Sequence, residues 1–496
     1  MDSSANCNFA GRLAERLGPH SYLVDAATGR TIEPTALRRL IPACGSALIA
    51  SGLRQGDRVL IGCSLSPASA LVYLGSIYAG LVAVPVEDRV LATSAASFVA
   101  ATGARAVWSE TGLAHGEVGD GSVIRLQGDL STGSAELRPA AACTASDLAA
   151  LMATSGSTGI PRFVMVTHGN LIANTEAIVG SQRLGTDERA MMILPVNYCF
   201  GASLLHTHLY QGGGVVFDRR FMFPDKVLQA MADFGCTTFA GVPTVYNVLL
   251  RRSGIRQVSL PCLRRFLQAG GALAPEKIDE MRAIFPLVPF YVMYGQTEAT
   301  ARISCMESEL WEVKPGSVGR PLENLTVSIV DDAGNPLPPG QIGELLVRGP
   351  SICAGYWNDP DETPRVFHNG WLRTGDLARQ DKEGYLWIEG RRGAFLKIRG
   401  TRISFAEVEG RVAAMSGVYE CGACAVDHPD AGEALALLIV PDQGATVDPD
   451  EIRRRLPAHW TLDSIRMVSE LPKTSSGKLA RPMLAAWAKD GHAAIA

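Results

Sequence analysis

The chain reads as an α/β protein of layered, mostly parallel sheets, followed by a β-rich stretch and a short α+β unit. Three observations predict this. Apolar strand-like runs alternate with helical patterns through the first half of the chain. Near residue 320 the texture changes to short strands separated by turn-rich segments. After Arg391 strands and helices mix again over a much shorter span. The 496 residues are too many for one ordinary core, so two or more domains are expected.

Taken in order, DRVLIGC reads as a strand, the Ala/Leu/Tyr-rich SPASALVYLGSIYAG as a helix and LVAVPV as the next strand. GGGVVF, helical PDKVLQAMADFG, TTFAGVP, helical PTVYNVLL, RRFLQAGG, APEKIDEMRAIF and FYVMYG continue the alternation that builds parallel sheets. TVSIV, the turn-rich DDAGNPLPPG, GELLVRG, GWLRTGD and the hairpin-like GYLWIEG form the β-rich stretch. FLKIRG, a helix through FAEVEGRVAAM, a hairpin over ECGACAVDHPDAGEALALLIV and a helix at DPDEIRRRL complete the last unit. The main boundary is expected where EGRRG offers a flexible, charged crossing, giving domains 1–390 and 391–496.

Composition narrows the function. With 47% hydrophobic and 19% charged residues the chain is ordinary globular protein, and no apolar run approaches the roughly 20 residues of a membrane span. A net charge of −4 without a basic block argues against nucleic acid or an anionic membrane as partner. The eleven cysteines are scattered without zinc spacing, and MDSSANCNFAGRLAERLG lacks the layout of a signal peptide, so a cytoplasmic protein with reduced thiols is expected.

The segment TSGSTGIPRF is the first candidate site. Gly156 and Gly159 let the backbone turn its N–H groups toward one point, while Thr154, Ser155, Ser157 and Thr158 add hydroxyls and Arg162 a positive charge. The combination suits an anion with several oxygens, although SGSTG alone is equally a flexible surface loop. It is neither a Walker loop nor a dinucleotide fingerprint. In YVMYGQTEAT, Tyr294, Gly295, Thr297 and Glu298 end an apolar run, where α/β sheets bind ligands, and Glu298 could hold Mg²⁺. Asp376 in WLRTGDLA is placed to accept hydrogen bonds from a vicinal diol, or is a turn aspartate. Lys478 stands on a Ser/Gly loop in LPKTSSGKLAR.

Together, and in this order, SGSTG, YGQTE, TGD, the GRR–KIRG segment and PKTSSGK resemble the acyl-adenylate-forming superfamily: acyl- and aryl-CoA synthetases, stand-alone and peptide-synthetase adenylation domains, and firefly luciferase. The resemblance spans nearly the whole chain. It implies a large N-terminal domain of two α/β sheet subdomains and a β-rich third, with a small C-terminal lid that rotates between two poses. It also implies a carboxylate attacking the α-phosphorus of Mg·ATP, and a thiol then displacing AMP from the acyl-AMP. By the motif match Lys478 bridges the carboxylate and the α-phosphate, Glu298 helps hold Mg²⁺ and Thr297 touches phosphate. Asp376 and Arg391 match ribose contacts, Tyr294 and the Gly270-Gly271-Ala272 stretch the walls around adenine, and Gly400 the thiol's entry path.

For the acyl pocket, ILPVNYCFGASLLHTHL aligns with the bordering segment. Gly201 stands where amino-acid-activating members carry an aspartate for the substrate ammonium, so an acid without an α-amino group is expected. Tyr198 takes the place of a histidine common in CoA-forming members. Gly295 borders the pocket, and Phe239, Gly241, Val242, Gly270 and Met293 either line it or are plain core residues. His206 and His208 alternate in LLHTHLY but lack a third ligand, so packed histidines are expected rather than a metal pair. The thiol is expected from outside, as CoA or a separate carrier protein.

Three positions depart from the family pattern SGSTGxPKG and GRxD: Arg162 for lysine, Phe163 for glycine and Gly393 for the hinge aspartate. A ring at Phe163 is expected to crowd the pyrophosphate. The main expectation is a complete acyl-CoA ligase; the alternatives are a ligase using a supplied acyl-AMP, an enzyme loading a separate carrier protein, and a non-catalytic nucleotide-binding protein.

Overall fold

The computed structural model describes residues 6–112, 123–130, 136–154, 161–391, 395–398, 401–428, 432–457, 460, 462–473 and 479–490. Among these, two large sheets carry the first two thirds of the chain. The six-stranded sheet runs Ile124–Gln127, Ala106–Ser109, Arg58–Cys63, Val82–Glu87, Leu148–Ala153, Phe163–Thr167, parallel except for its last pair. The nine-stranded sheet is parallel through its middle, where Phe290–Tyr294, Arg265–Gln268, Thr238–Gly241, Arg189–Met192, Gly214–Phe217 and Leu23–Asp25 lie side by side. Near-continuous apolar strands of this kind require cover on both faces.

That cover explains the helices. Cys199–Tyr210 is buried at every one of its residues, because it packs in the core shared by the two sheets. A helix apolar on all sides has no other stable place in a globular protein. Its histidines fit that setting: His206 Nε2 meets the Tyr73 hydroxyl at 3.1 Å and His208 Nδ1 the Leu204 carbonyl at 3.0 Å. Among the described residues no cluster of three metal-ligating side chains occurs.

The β-rich stretch is a five-stranded antiparallel sheet built on Gly343–Arg348 and the long strand Trp371–Gln380, which pairs with Leu386–Arg391. Beyond residue 391, the hairpin Val418–His428 with Gly432–Pro441 is joined in parallel by Leu462–Met467 and covered by Phe405–Ala413 and Arg481–Asp490. Among the described residues no helix is long and apolar enough to cross a membrane.

One expectation is overturned. Phe163 does not stand in the phosphate segment to crowd a pyrophosphate: Phe163–Thr167 is a strand, antiparallel to Leu148–Ala153. FVMVT alternates as a strand must, sending Phe163 and Met165 to one core and Val164 and Val166 to the other. The Phe163 ring is 3% exposed and meets Phe98 edge-on at 6.0 Å, so it is sheet core and not a wall against phosphate.

Candidate active site

Two strand ends and one irregular segment assemble the site. The strand Phe290–Tyr294 ends at Gly295, and a short 3-10 turn, Thr297–Ala299, follows. Next, Thr300 has φ +68° and ψ −60°, and the Ala301 N–H donates to the Ala299 carbonyl at 2.8 Å. This is a γ-turn of the rarer, strained hand, unusual for a β-branched residue. Such strain needs support from its surroundings.

The support comes from residues 350–357, a segment the sequence reading passed over. The Thr300 hydroxyl donates to the Ser351 carbonyl at 2.7 Å, and the Cys353 N–H donates to the Glu298 carbonyl at 3.0 Å. On its other side the same segment borders the strand Phe163–Thr167. Met165 and Trp357 N–H groups donate to the Gly355 and Phe163 carbonyls, each at 2.8 Å. Asn170, in the capping box of the helix His168–Gln182, adds bonds to the Pro350 and Ile352 carbonyls. One strap therefore fastens the phosphate-segment strand to the Thr297–Glu298 turn.

At the crossing, the Tyr356 hydroxyl donates to Glu298 Oε1 at 2.8 Å, and its ring lies 5.6 Å from the Arg162 guanidinium. Burial first, and the adjoining Glu298 charge second, push the Tyr356 phenol far above its ordinary range, so it stays a donor. Arg162 is half exposed and held by Asp359 and Glu362, each at 3.3 Å. The Thr154 N–H donates to the Arg162 carbonyl at 2.8 Å, closing the base of the phosphate segment. Ser155, Gly156, Ser157, Thr158 and Gly159 lie outside the described residues, as do Gly393, Gly400 and Lys478.

At the other side of Gly295, the Tyr294 hydroxyl donates to Asp376 Oδ2 at 2.5 Å, and Arg391 Nε stands 3.9 Å from Asp376 Oδ1. Paired strands set this up, since Asp376 and Arg391 are register partners. The three expected nucleotide residues are thus together. Gly271 and Ala272 are exposed beyond the strand Arg265–Gln268.

The expected acyl-pocket residues divide. Tyr198 packs its hydroxyl against Gly270, where a Cβ would sit 2.5 Å from it. Met293 is buried, with its sulfur 3.3 Å from Gln182 Nε2. Phe239 is fully buried between Tyr246 and Phe266, and Gly241 packs on Val245, so both belong to the core. Gly201, at the position of the aspartate of amino-acid-activating members, lies at the start of a helix against backbone. A Cβ there would lie 2.2 Å from the Pro195 carbonyl oxygen, so backbone packing at the helix start excludes any side chain. Gly295 is equally constrained, 1.9 Å in the same sense from the Ala301 carbonyl oxygen.

A carboxylate with a tyrosine donor, a cation beside the phosphate segment, and an aspartate–tyrosine–arginine group are thus gathered around Gly295 and the 350–357 strap. Comparison with known proteins shows the family. Residues 14–357 match the AMP-binding enzyme family and residues 407–478 the AMP-binding enzyme C-terminal domain. A feruloyl-CoA synthase from Amycolatopsis sp. is 32% identical over 477 residues, covering 94% of this chain and 95% of that one. A sulfoacetate–CoA ligase from Cupriavidus necator is 30% identical over 483 residues, covering 93% of each. Among solved structures, ATP-bound MatB from Rhodopseudomonas palustris superposes with a TM-score of 0.88 at 27% identity, over 98% of this chain and 100% of that one. The o-succinylbenzoate CoA synthetase MenE from Bacillus subtilis, in complex with its acyl-adenylate, gives 0.86 at 25% identity over 99% of each. The chain belongs to the AMP-binding enzyme family, and within it is an AMP-forming acid–thiol ligase.

Proposed function

We propose that the protein is a two-step acyl-CoA ligase for a carboxylic acid without an α-amino group, working in the cytoplasm with ATP and CoA. The acid's carboxylate attacks the α-phosphorus of ATP and pyrophosphate leaves; the CoA thiol then attacks the acyl carbonyl and AMP leaves. The observation that carries this reading is the burial of Phe163 in the sheet, which removes the main reason to doubt the first step. That the relatives are CoA ligases supports CoA over a carrier protein. The buried Arg302 guanidinium, 4.9 Å from the Phe200 ring, supports a substrate without an ammonium group, since like charges would meet there.

The roles follow from charge. Two anions must approach, so positive groups placed in advance lower the barrier. We assign Lys478 to the bridge between carboxylate and α-phosphate, and Asp376 with Arg391 to the ribose. Tyr294 orients Asp376, Tyr356 orients Glu298, and Thr297 and the hydroxyls of the phosphate segment donate to phosphate oxygens. Glu298 fits Mg²⁺, because it is a carboxylate with no lysine or arginine in ion-pair distance among the described residues. Bound there, the ion would offset phosphate charge. We place the divide between body and lid after residue 390, with Gly393 at the hinge and Gly400 on the thiol path.

One contact favours a second reading, a ligase fed with ready-made acyl-AMP: the Arg162 charge is held by Asp359 and Glu362. ATP–pyrophosphate exchange with a panel of acids, run beside thioester formation from synthetic acyl-AMP, separates the two. Exchange at a rate matching thioester formation is expected; thioester from the adenylate with no exchange would establish the second reading. In the same assays Lys478→Ala should lower exchange about 10²- to 10³-fold, the size of losing one donor to developing charge, and thioester formation from acyl-AMP far less. Equal losses in both would remove Lys478 from the first step.

A further inference from the structure

Among the described residues two arginines are deeply buried, and they are held differently. Arg265 is clamped by Glu188, with Nη1 2.7 Å from Oε2 and Nη2 2.8 Å from Oε1, and Thr238 adds a third bond. Arg302 is 2% exposed, yet among the described residues no aspartate or glutamate stands within ion-pair distance of it. Its Nε has no hydrogen-bond partner there, Nη1 touches only the Met293 sulfur, and the guanidinium faces the Phe200 ring. The nearest groups that could become anions do not serve. Burial keeps Tyr198 protonated and pushes the Cys305 thiol up to about 12.

The main chain of Arg302 is fixed by choice of sequence, not by accident of packing. Asn174 brackets it, accepting from its N–H at 3.2 Å and donating to its carbonyl at 2.9 Å. The γ-turn at Thr300 folds it back against Gly295, where a Cβ would lie 2.9 Å from the Arg302 Cα. The charge therefore sits behind the Tyr294–Gly295 strand end, among Tyr198, Phe200 and Met293, and Tyr198 and Met293 are two of the residues assigned to the acyl pocket. A buried charge without a counter-charge is costly, and an anion bound beside it would offset that cost.

We propose that Arg302 sets substrate specificity by binding a second oxyanion, a carboxylate remote from the one being activated, so that the acid is dicarboxylic. This rests on the ligase reading above and narrows it. Guanidinium and carboxylate match in a two-bond fork, which fixes the length and direction of the substrate as well as its charge.

The test uses the full-length protein and paired acids that differ by one carboxylate: benzoate with isophthalate and terephthalate, phenylacetate with 4-carboxyphenylacetate, butanoate with glutarate. The wild type should favour one dicarboxylate by tenfold or more in kcat/KM for thioester formation. Arg302→Met should lose about a hundredfold on that acid while gaining on its monocarboxylate partner, and Arg302→Lys should retain part of the preference. Equal or better use of every monocarboxylate by the wild type, or an unchanged ratio in Arg302→Met, overturns the proposal. Thermal midpoints give a readout independent of turnover. Without acid, Arg302→Met should melt at or above the wild type, and the dicarboxylate should raise only the wild-type midpoint. A variant that melts well below the wild type and still responds to the dicarboxylate makes Arg302 structural. If no acid yields AMP or pyrophosphate although the dicarboxylate stabilises the wild type, the ligase reading fails and the anion site stands.

Discussion

The two ends of the proposed site, one assigned to the nucleotide and the other to the acyl group, differ in how their side chains are held. At the nucleotide end, partly exposed side chains are aimed by hydrogen bonds: Tyr294 to Asp376, Tyr356 to Glu298, Asp359 and Glu362 to Arg162. At the end assigned to the acyl group, Phe200, Met293 and Arg302 are buried, with Asn174 holding the Arg302 main chain and Gln182 beside the Met293 sulfur, and the helix behind them has no exposed residue. The difference teaches what each end can tolerate. A change in the first should alter rate with little effect on folding; a change in the second should alter stability or selectivity.

The largest expected effect tests the first half of that contrast. Glu298→Gln keeps the shape and the bond from Tyr356 but removes the charge. Pyrophosphate exchange should fall about 10²- to 10³-fold, comparable to losing one preorganised electrostatic contact, with the thermal midpoint unmoved. A midpoint that drops with the rate would erase the contrast. Phe163→Gly is the mirror experiment. Removing a ring that is buried against Phe98 should cost about 3–5 kcal/mol in denaturant unfolding, and leave KM for ATP as it was in the folded enzyme. A lower KM for ATP would put the ring back beside the phosphates.

Acid should act on the packed end. Burial lowers His206 to about 3 and His168 and His208 to about 4, so the folded protein keeps all three neutral. Their folded values lie below the unfolded value near 6.5, so stability is full above that pH and drains away as pH falls toward 4. Each histidine contributes a slope of up to about 1.4 kcal/mol per pH unit in that window. Urea midpoints measured from pH 7 to pH 4.5 should show the decline, and a flat profile would mean that these side chains are hydrated. The smallest effect belongs to the double change Asp359→Asn with Glu362→Gln. Releasing Arg162 from two partly exposed ion pairs should lower KM for ATP about two- to fivefold, in keeping with the worth of such pairs.

That Tyr294, Asp376 and Arg391 belong together is legible in the sequence because they stand in short, ordered motifs. Tyr294, Thr297, Glu298, Asp376 and Arg391 were all named from the motifs, and strand register brings Asp376 and Arg391 together. The strap at 350–357 was not legible. It works through main-chain carbonyls and N–H groups, which any sequence supplies, and only Gly355-Tyr356 hinted at it. Phe163 is misread when compared with a loop glycine, although the apolar, β-branched run FVMVT fits a buried strand. Arg302 escaped for a different reason. An arginine in sequence is by default a surface residue, and only the packing around it reveals that its charge lies inside.

Because one strap is bonded both to the strand that follows Arg162 and to the turn that carries Glu298, those two parts of the molecule are mechanically a single piece. A chimera that imports the glycine-rich segment from another enzyme while keeping this chain's 350–357 would misalign Glu298, whereas exchanging the three parts together should preserve its position.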